Sequence, residues 1–140
     1  MNEVTFIERV PTVDEYAALI AAVGWKSREP EAIAFALGNS LYAVCAELEN
    51  QVIGMGRVIG DGGLHYYLSD IVVLPVHQHK GIGTRVVGLL NRYLDTLPYR
   101  NTLVGVIAGH GTREFYERRG YTAQSSKGPA MYRWLNLRDA

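Results

Sequence analysis

The chain has 140 residues, of which 48% are apolar and 20% charged, and its fourteen basic residues balance fourteen acidic ones. This composition is typical of a single folded domain over residues 1–140 and excludes a disordered chain. A neutral chain gives no reason to expect a nucleic acid or an anionic membrane as partner, it permits a homodimer, and no apolar run approaches the roughly 20 residues of a membrane span.

Apolar periodicity and turn residues divide the chain into eleven elements. In chain order they predict a strand over residues 4–10, helices over 13–23 and 30–37, strands over 41–48, 52–59 and 64–74, a helix over 84–97, a strand over 102–108, a helix over 109–119, and strands over 121–123 and 130–137. The order is therefore β-α-α-β-β-β-α-β-α-β-β.

Several local signals support these bounds. Thr12 and Glu15 have the spacing of a capping box, and Gly24 is a natural end for the helix that follows. Gly54 and Gly56 weaken their strand and indicate a bulge or a close backbone approach. The strand over 102–108 is nearly all apolar, which is typical of a strand covered on both faces.

The N-terminal region and the cysteine content indicate the compartment. Residues 1–6 have no basic start and no long apolar stretch, unlike a signal peptide. The single cysteine, Cys45, cannot form an internal disulfide, which fits a reducing cytoplasm. Cys45 lies in an apolar run, so we expect a buried core residue rather than a nucleophile. We therefore predict a cytoplasmic protein.

The element order predicts an α/β fold with a mixed antiparallel and parallel sheet. The first half forms an antiparallel meander, whereas residues 64–108 form a strand-helix-strand crossover. Such a crossover requires parallel pairing and is right-handed in nearly all known cases. We therefore expect helices on both faces of one sheet.

A glycine loop, Gln78-His79-Lys80-Gly81-Ile82-Gly83-Thr84, lies between an apolar strand and the long amphipathic helix. Such a loop can place backbone N–H groups around a phosphate at the start of a helix. It lacks the G-x-x-x-x-G-K-[ST] pattern of a P-loop. It also lacks the third glycine of the dinucleotide fingerprint, because Val86 stands there.

Two segments instead resemble the GNAT superfamily of N-acetyltransferases. Residues 73–84 resemble the family's coenzyme-A-binding signature, (Q/R)-x-x-G-x-(G/A). Residues 115–121, Phe-Tyr-Glu-Arg-Arg-Gly-Tyr, resemble its second signature, F-Y-x-x-x-G-(F/Y). The predicted element order matches the family over nearly the whole chain.

The resemblance implies a GNAT fold and acetyl-CoA as co-substrate, without a metal. It places the pyrophosphate on the backbone N–H groups of Gln78, His79, Lys80, Gly81, Ile82, Gly83 and Thr84. The pantetheine arm would pair with the strand backbone of Ile71, Val72 and Val73, where that strand splays from its parallel neighbour. The N–H of Ile71 would polarise the thioester carbonyl.

The resemblance also implies catalytic roles. Tyr116 matches the family tyrosine that protonates the coenzyme sulfur as general acid. Asp70 lies on the strand that enters the slot, where it could act as base or form an ion pair with Arg57 or Lys80, and both roles are open. Strict alternation would place His65 and Tyr67 on the opposite face from Asp70.

The sequence departs from the family where many members carry an asparagine that contacts the coenzyme. Gly109 stands there, and a backbone group or His110 could replace the contact. The pair His77 and His79 has no third ligand spaced nearby, so we expect no metal site.

The acceptor is less defined by the sequence. The resemblance implies acetyl transfer to a primary amine of a small molecule, by direct attack and without an acyl-enzyme. Acetylation of a protein N-terminus or lysine, and a non-catalytic coenzyme A-binding module, are alternatives. Three locations are open for five further residues: an aromatic pocket, the core or a dimer face. The five residues are Trp25, Tyr66, Tyr67, Met131 and Tyr132.

Overall fold

The computed structural model describes residues 3–109, 111–125 and 128–136. The strands are β1 Thr5–Ile7, β2 Tyr42–Leu48, β3 Gln51–Gly60, β4 His65–Val73, β5 Thr102–Ile107, β6 Thr122–Ala123 and β7 Ala130–Leu135. The helices are α1 Val13–Ala22, α2 Pro30–Gly38, α3 Ile82–Asp95 and α4 Arg113–Glu117, with a short 3₁₀ helix at Pro75–His77. The predicted order of strands and α-helices is confirmed. Leu137, the predicted end of the last strand, lies outside the described residues.

All the strands described above belong to one seven-stranded sheet with the order β1-β2-β3-β4-β5-β7-β6. Strands β4 and β5 pair in parallel, and the other neighbouring pairs are antiparallel. Helix α3 is the crossover between the two parallel strands. The mixed α/β sheet predicted from the sequence is therefore confirmed.

The start of α1 follows the predicted capping box. The Thr12 hydroxyl accepts a hydrogen bond from the Glu15 backbone N–H at 3.1 Å, and the Thr12 N–H donates to the Glu15 carboxylate at 2.8 Å. Arg9 joins this carboxylate to Glu47 on β2. The Arg9 hydrogen bond is the main cause that lowers the pKa of Glu15 to about 2. These contacts attach α1 to β2, the second strand of the sheet.

Helices cover both faces of the sheet, as predicted. On one face α3 and α4 pack over a core that includes Val86, Leu90 and Val104. On the other face α1 and α2 pack over a smaller core that includes Cys45 and Met55. Cys45 is fully buried, and burial raises the pKa of its thiol to about 11, so the prediction of a core residue is confirmed.

Gly56 explains how closely α3 approaches the sheet. A Cβ atom at this position would lie 2.6 Å from Val86 Cγ1 and 3.1 Å from Leu90 Cδ1. Real Cβ atoms do not approach other carbons at such distances, so only glycine fits there without repacking. The close backbone approach predicted for this strand is therefore confirmed.

The expectation that the strand over 102–108 is covered on both faces is wrong. Thr102, Val104 and Val106 are buried beneath α3 and α4, but Ile107 is 59% exposed. Helix α1 packs against β3 and β4 on the other face, so the same face of β5 and β7 is open. An apolar strand can therefore have an uncovered face, which the sequence alone does not reveal.

The predicted alternation along β4 is also wrong, because β4 contains a bulge. Arg57 on β3 pairs with Ser69 and Met55 pairs with Val72, so Asp70 and Ile71 together oppose one residue. Asp70 has a left-handed backbone with φ of 55°. An extra residue on one strand reverses which side chains face each side. Asp70 therefore lies on the same face as Tyr67, not opposite it.

Candidate active site

Strands β4 and β5 pair over three residues and then diverge. The parallel register ends at Tyr67 opposite Gly105, so no strand of the described part of the chain pairs with the β5-facing edge of β4 from Leu68 to Val73. An unpaired strand edge offers backbone N–H and C=O groups to an extended ligand. The splayed slot expected from the sequence is present, and Ile71, Val72 and Val73 lie along it.

The glycine loop lies at the wide end of this slot. The Gln78 side chain donates from Nε2 to the Val73 carbonyl at 2.9 Å, which attaches the loop to the end of β4. Gly81 is the N-cap of α3 with φ of 83°, and no side chain caps the helix there. The first N–H groups of α3 therefore lack the side-chain acceptor that usually satisfies them. Such a terminus favours an anion.

A groove of about 660 Å³ runs along this loop, and we call it the loop groove. The predicted residues that line it are Ile71, Val73, Gln78, His79, Gly81, Gly83, Thr84 and Tyr116. Val72 and Ile82 have buried side chains in the two cores, so only their backbones are available. Lys80 is exposed and is not among the lining residues.

Arg119 lies beside the loop groove and is a residue that the sequence did not reveal as part of the site. Its guanidinium stacks over the Phe115 ring at 3.7 Å and donates to the Thr84 hydroxyl. These contacts fix α4 against the start of α3 and bring a positive charge to the groove. The i, i+4 spacing of Phe115 and Arg119 on a helix is the signal that could have revealed this pair.

Beyond the divergence of β4 and β5 lies a second cavity of about 310 Å³, which we call the gap cavity. It receives side chains from five separate parts of the chain. Its polar and aromatic lining comprises Trp25, Arg28, Tyr67, Ser69, Asp70, Thr112 and Tyr116. Ile71, Thr112 and Tyr116 line both the gap cavity and the loop groove, so the two spaces meet at these residues.

Tyr116 lies at this junction and is 7% exposed. Its ring makes edge contacts with Phe115 and Tyr121, which hold it in place. Burial raises the pKa of Tyr116 to about 12 because desolvation disfavours the phenolate. The hydroxyl therefore keeps its proton at neutral pH, as a proton donor requires.

Both oxygens of the Asp70 carboxylate are engaged. Oδ2 accepts from Arg57 Nε at 2.8 Å, and Oδ1 accepts from the Tyr16 hydroxyl at 3.0 Å. Arg57 also donates to the Ala36 carbonyl and to the Ser40 hydroxyl. Of the two roles that were open for Asp70, the ion pair with Arg57 is the one that the structure shows. This network ties β4 to both N-terminal helices.

The candidate aromatic residues separate into three groups. Trp25 and Tyr67 line the gap cavity. Tyr66 and Met131 are 3% and 2% exposed and belong to the main core. Tyr132 lies on the open face of β5 and β7, where it lines a shallow groove with Trp134.

Gly109, which stands in place of the family asparagine, lines the gap cavity. Its carbonyl accepts hydrogen bonds from the Thr112 hydroxyl at 2.7 Å and from the Thr112 N–H at 3.0 Å. Thr112 therefore closes the turn before α4. His110 lies outside the described residues.

Among the described residues no group of three or more His, Cys, Asp or Glu side chains has the geometry of a metal site. Within the same part of the chain, no helix has the length and apolar character needed to cross a lipid bilayer.

Comparison with known proteins identifies the family. Residues 11–121 match the model of the acetyltransferase (GNAT) family, and the chain therefore belongs to it. It is 26% identical to an uncharacterized ycf52-like N-acetyltransferase of Prochlorococcus marinus, over 96% of this chain and 78% of that protein.

Solved structures share the fold. SA2161 from methicillin-resistant Staphylococcus aureus, described as a probable acetyltransferase, superposes with a TM-score of 0.81 at 29% identity, over 91% of this chain and 95% of its own. A GNAT acetyltransferase from Brucella melitensis, in complex with acetyl-CoA, has a TM-score of 0.68 at 19% identity, over 94% and 88% of the two chains. The GNAT fold expected from the sequence is thus confirmed.

Proposed function

We propose that the protein transfers an acetyl group from acetyl-CoA directly to a primary amine of a small molecule. The observation that carries this proposal is the position of Tyr116, which lines both the loop groove and the gap cavity where β4 and β5 diverge. A buried, protonated hydroxyl at this junction is suited to protonate a leaving thiolate. Membership of the GNAT family supports the reaction class.

The loop groove fits the phosphates of coenzyme A. The start of α3 has no side-chain cap, Gly81 has a left-handed backbone, and the groove has a volume of about 660 Å³. The backbones of Gln78 to Thr84 would bind the pyrophosphate, with Arg119 nearby. The related Brucella protein was solved with acetyl-CoA, which supports the same ligand here.

The residues along the slot between β4 and β5 would bind the pantetheine arm and the thioester. The free edge of β4 at Ile71, Val72 and Val73 would bind the pantetheine arm as an added strand. The Ile71 N–H would donate to the thioester oxygen as negative charge develops on it. The Tyr116 hydroxyl would give its proton to the sulfur. The neutral amine would attack the thioester carbon, the C–S bond would break and the nitrogen would lose one proton to water. Tyr116 would then regain a proton from water, so that charge balances overall.

We assign Asp70 a positioning role rather than the role of general base. Its carboxylate is bonded to Arg57 and Tyr16, and a base needs an oxygen free to take a proton. In this proposal the amine loses its proton to water in the cavity, and Asp70 holds the bulge that presents Ile71. The predictions of a cytoplasmic location, a single domain and a homodimer stay predictions.

The gap cavity favours a small acceptor over a protein. Its volume of about 310 Å³ lies at the lower end of the usual range for ligand pockets, about 300 to 1,000 Å³. Asp70 is the one acidic side chain among its described lining residues, and it is already paired. Such a lining offers no carboxylate cluster for a basic peptide.

Tyr116→Phe tests the proposal. We expect turnover to fall about 10² to 10⁴-fold, with little change in acetyl-CoA affinity, because the hydroxyl acts only on the leaving sulfur. Tyr132→Phe is the matched control, since Tyr132 lies on the open face of the sheet. Equal turnover in the Tyr116→Phe enzyme and the wild type would show that Tyr116 is not the general acid.

Thiol release from acetyl-CoA should be measured with a panel of small amines, a peptide with a free N-terminus and a lysine peptide. Release with small amines supports the proposal. Faster release with either peptide would favour a protein acetyltransferase. Coenzyme binding without release for any acceptor would favour a non-catalytic module.

A further inference from the structure

The gap cavity contains one charged side chain, that of Arg28, which has no partner among the residues that the structure describes. Arg28 lies on the loop between α1 and α2 and lines the cavity together with Trp25 and Asp70. Neither a hydrogen bond nor an ion pair joins Arg28 to any residue within 3–109, 111–125 and 128–136. Its guanidinium is therefore available to a ligand.

The charges around Arg28 make an anion the matching ligand. Among the described residues that line the gap cavity, Arg28 and Asp70 alone carry charge. The negative charge of Asp70 is already balanced by Arg57 at 2.8 Å, so the positive charge of Arg28 is the unbalanced one. Burial and then Asp70 raise the pKa of Tyr16 to about 12, while Arg57 and, to a smaller extent, Arg28 lower it, which is consistent with a position of Arg28 beside this network.

The position of Arg28 relative to Tyr116 sets which part of a ligand it would contact. Both residues line the gap cavity, but only Tyr116 also lines the loop groove. An acceptor must place its amine near Tyr116, where the acetyl group would lie. A second group on the same molecule that reaches the loop between α1 and α2 would contact Arg28 and the ring of Trp25.

We propose that Arg28 binds an anionic group of the acceptor, so that the acetylated amine belongs to a molecule that also carries a carboxylate or a phosphate. The inference rests on the proposed acetyl transfer and extends it to a substrate class. A guanidinium binds either anion through paired N–H donors. The same charge repels polyamines, which would bring a second cation into the cavity.

Matched amine pairs test this proposal. One arm compares phenylalanine with phenethylamine, which lacks the carboxylate, and another compares phosphoethanolamine with ethanolamine. We expect the wild type to show the higher kcat/KM for the anionic member of at least one pair. The arm that shows the preference identifies the anion as carboxylate or phosphate.

Arg28→Gln should lower the preference for the anionic member by about 10 to 100-fold, mainly through KM, because a charge-assisted hydrogen bond is lost. Arg28→Lys should keep part of this preference, because lysine retains the positive charge. Lys26→Gln is the matched control, because Lys26 lies on the same loop but lines neither cavity. A wild type that prefers the neutral members, or an equal preference in wild type and Arg28→Gln, would overturn the proposal.

A binding measurement separates this inference from the proposed transfer. Trp25 lines the gap cavity, so its fluorescence in a Trp134→Phe background, with coenzyme A present, reports acceptor binding. Anionic amines that bind selectively without being acetylated would support Arg28 as the anion site and refute the transferase. Acetylation and binding without any preference for the anion would support the transferase and overturn the role of Arg28.

Discussion

The loop groove and the gap cavity meet at Tyr116, yet they are built in different ways. The loop groove is lined by two segments, residues 71–84 and 111–119, and the first of them contains Gly81 and the uncapped start of α3. The gap cavity is made of side chains that come from a loop, two strands, a turn and a helix. Two segments that each overlap a recognisable signature thus line the loop groove, whereas the gap cavity also takes Trp25 and Arg28 from a loop without any motif.

This difference predicts that substitutions on the two sides will have different consequences. Side chains of the gap cavity also hold the fold together, because Asp70 links β4 to α1 and α2 through Tyr16 and Arg57. In the proposed function the glycines of the loop groove leave room for coenzyme A, and a glycine has no side chain that could take part in such a network. We therefore expect stability to change on one side and coenzyme binding on the other.

Asp70→Asn should have the largest effect on stability. Asparagine tolerates the left-handed backbone at this position, but it leaves the buried charge of Arg57 uncompensated. We expect the free energy of unfolding to fall by about 3 kcal/mol, the lower end of the range for a broken buried ion pair, because the amide oxygen still accepts a hydrogen bond. Urea denaturation measures this change, and a loss below about 1 kcal/mol would contradict it.

Gly83→Leu should act on the coenzyme side alone. A Cβ atom there would lie 3.8 Å from Phe115 Cζ and from Val73 Cγ2, so the protein accommodates it while the rest of the side chain enters the loop groove. We expect kcat/KM for acetyl-CoA to fall on the order of 100-fold, through lost charge-assisted hydrogen bonds, without a fall in melting temperature. Gly88→Ala on the same helix is the control. Normal coenzyme affinity in Gly83→Leu would contradict the assignment of the groove.

The junction between the two regions can be examined by pH. Burial raises the pKa of Tyr116 from 10.0 to about 12, so turnover should not decline through loss of its proton until well above pH 10. The neutral phenol is favoured in the folded protein, so its contribution to stability is complete below pH 10 and is lost as the pH rises towards 12. Urea denaturation at pH 9 and at pH 11.5 measures this effect. Between these two values the free energy of unfolding should fall less in Tyr116→Phe than in the wild type.

Gly88→Ala should have the smallest effect and an opposite sign. Gly88 lies in the middle of α3 and is exposed, and a Cβ atom at its position would meet no neighbouring side chain within 4 Å. Alanine should raise the free energy of unfolding by about 0.5 to 1 kcal/mol, because glycine is a poor helix former. Thermal denaturation measures the gain, and acetyl transfer should be unchanged because Gly88 faces neither cavity.

Local residue patterns were enough to predict the order of the elements and the position of the glycine loop. Both depend on local chemistry, such as the capping box at Thr12 and Glu15 and the amphipathic stripe of α3. The sequence also indicated Tyr116 as a candidate site residue, because the signature that contains it is one contiguous segment that overlaps α4. These features follow from interactions between residues close in the chain, which is why residue patterns predict them.

The side chains that face the gap cavity could be assigned only from the folded chain. The bulge at Asp70 depends on the register between β3 and β4, and it places Asp70 on the face that strict alternation assigns to His65 and Tyr67. The open face of β5 depends on how far α1 and α2 extend over the sheet. Arg28 reaches the cavity because a loop without any motif passes beside β4. Register and loop placement arise from contacts between distant residues, so no local pattern encodes them.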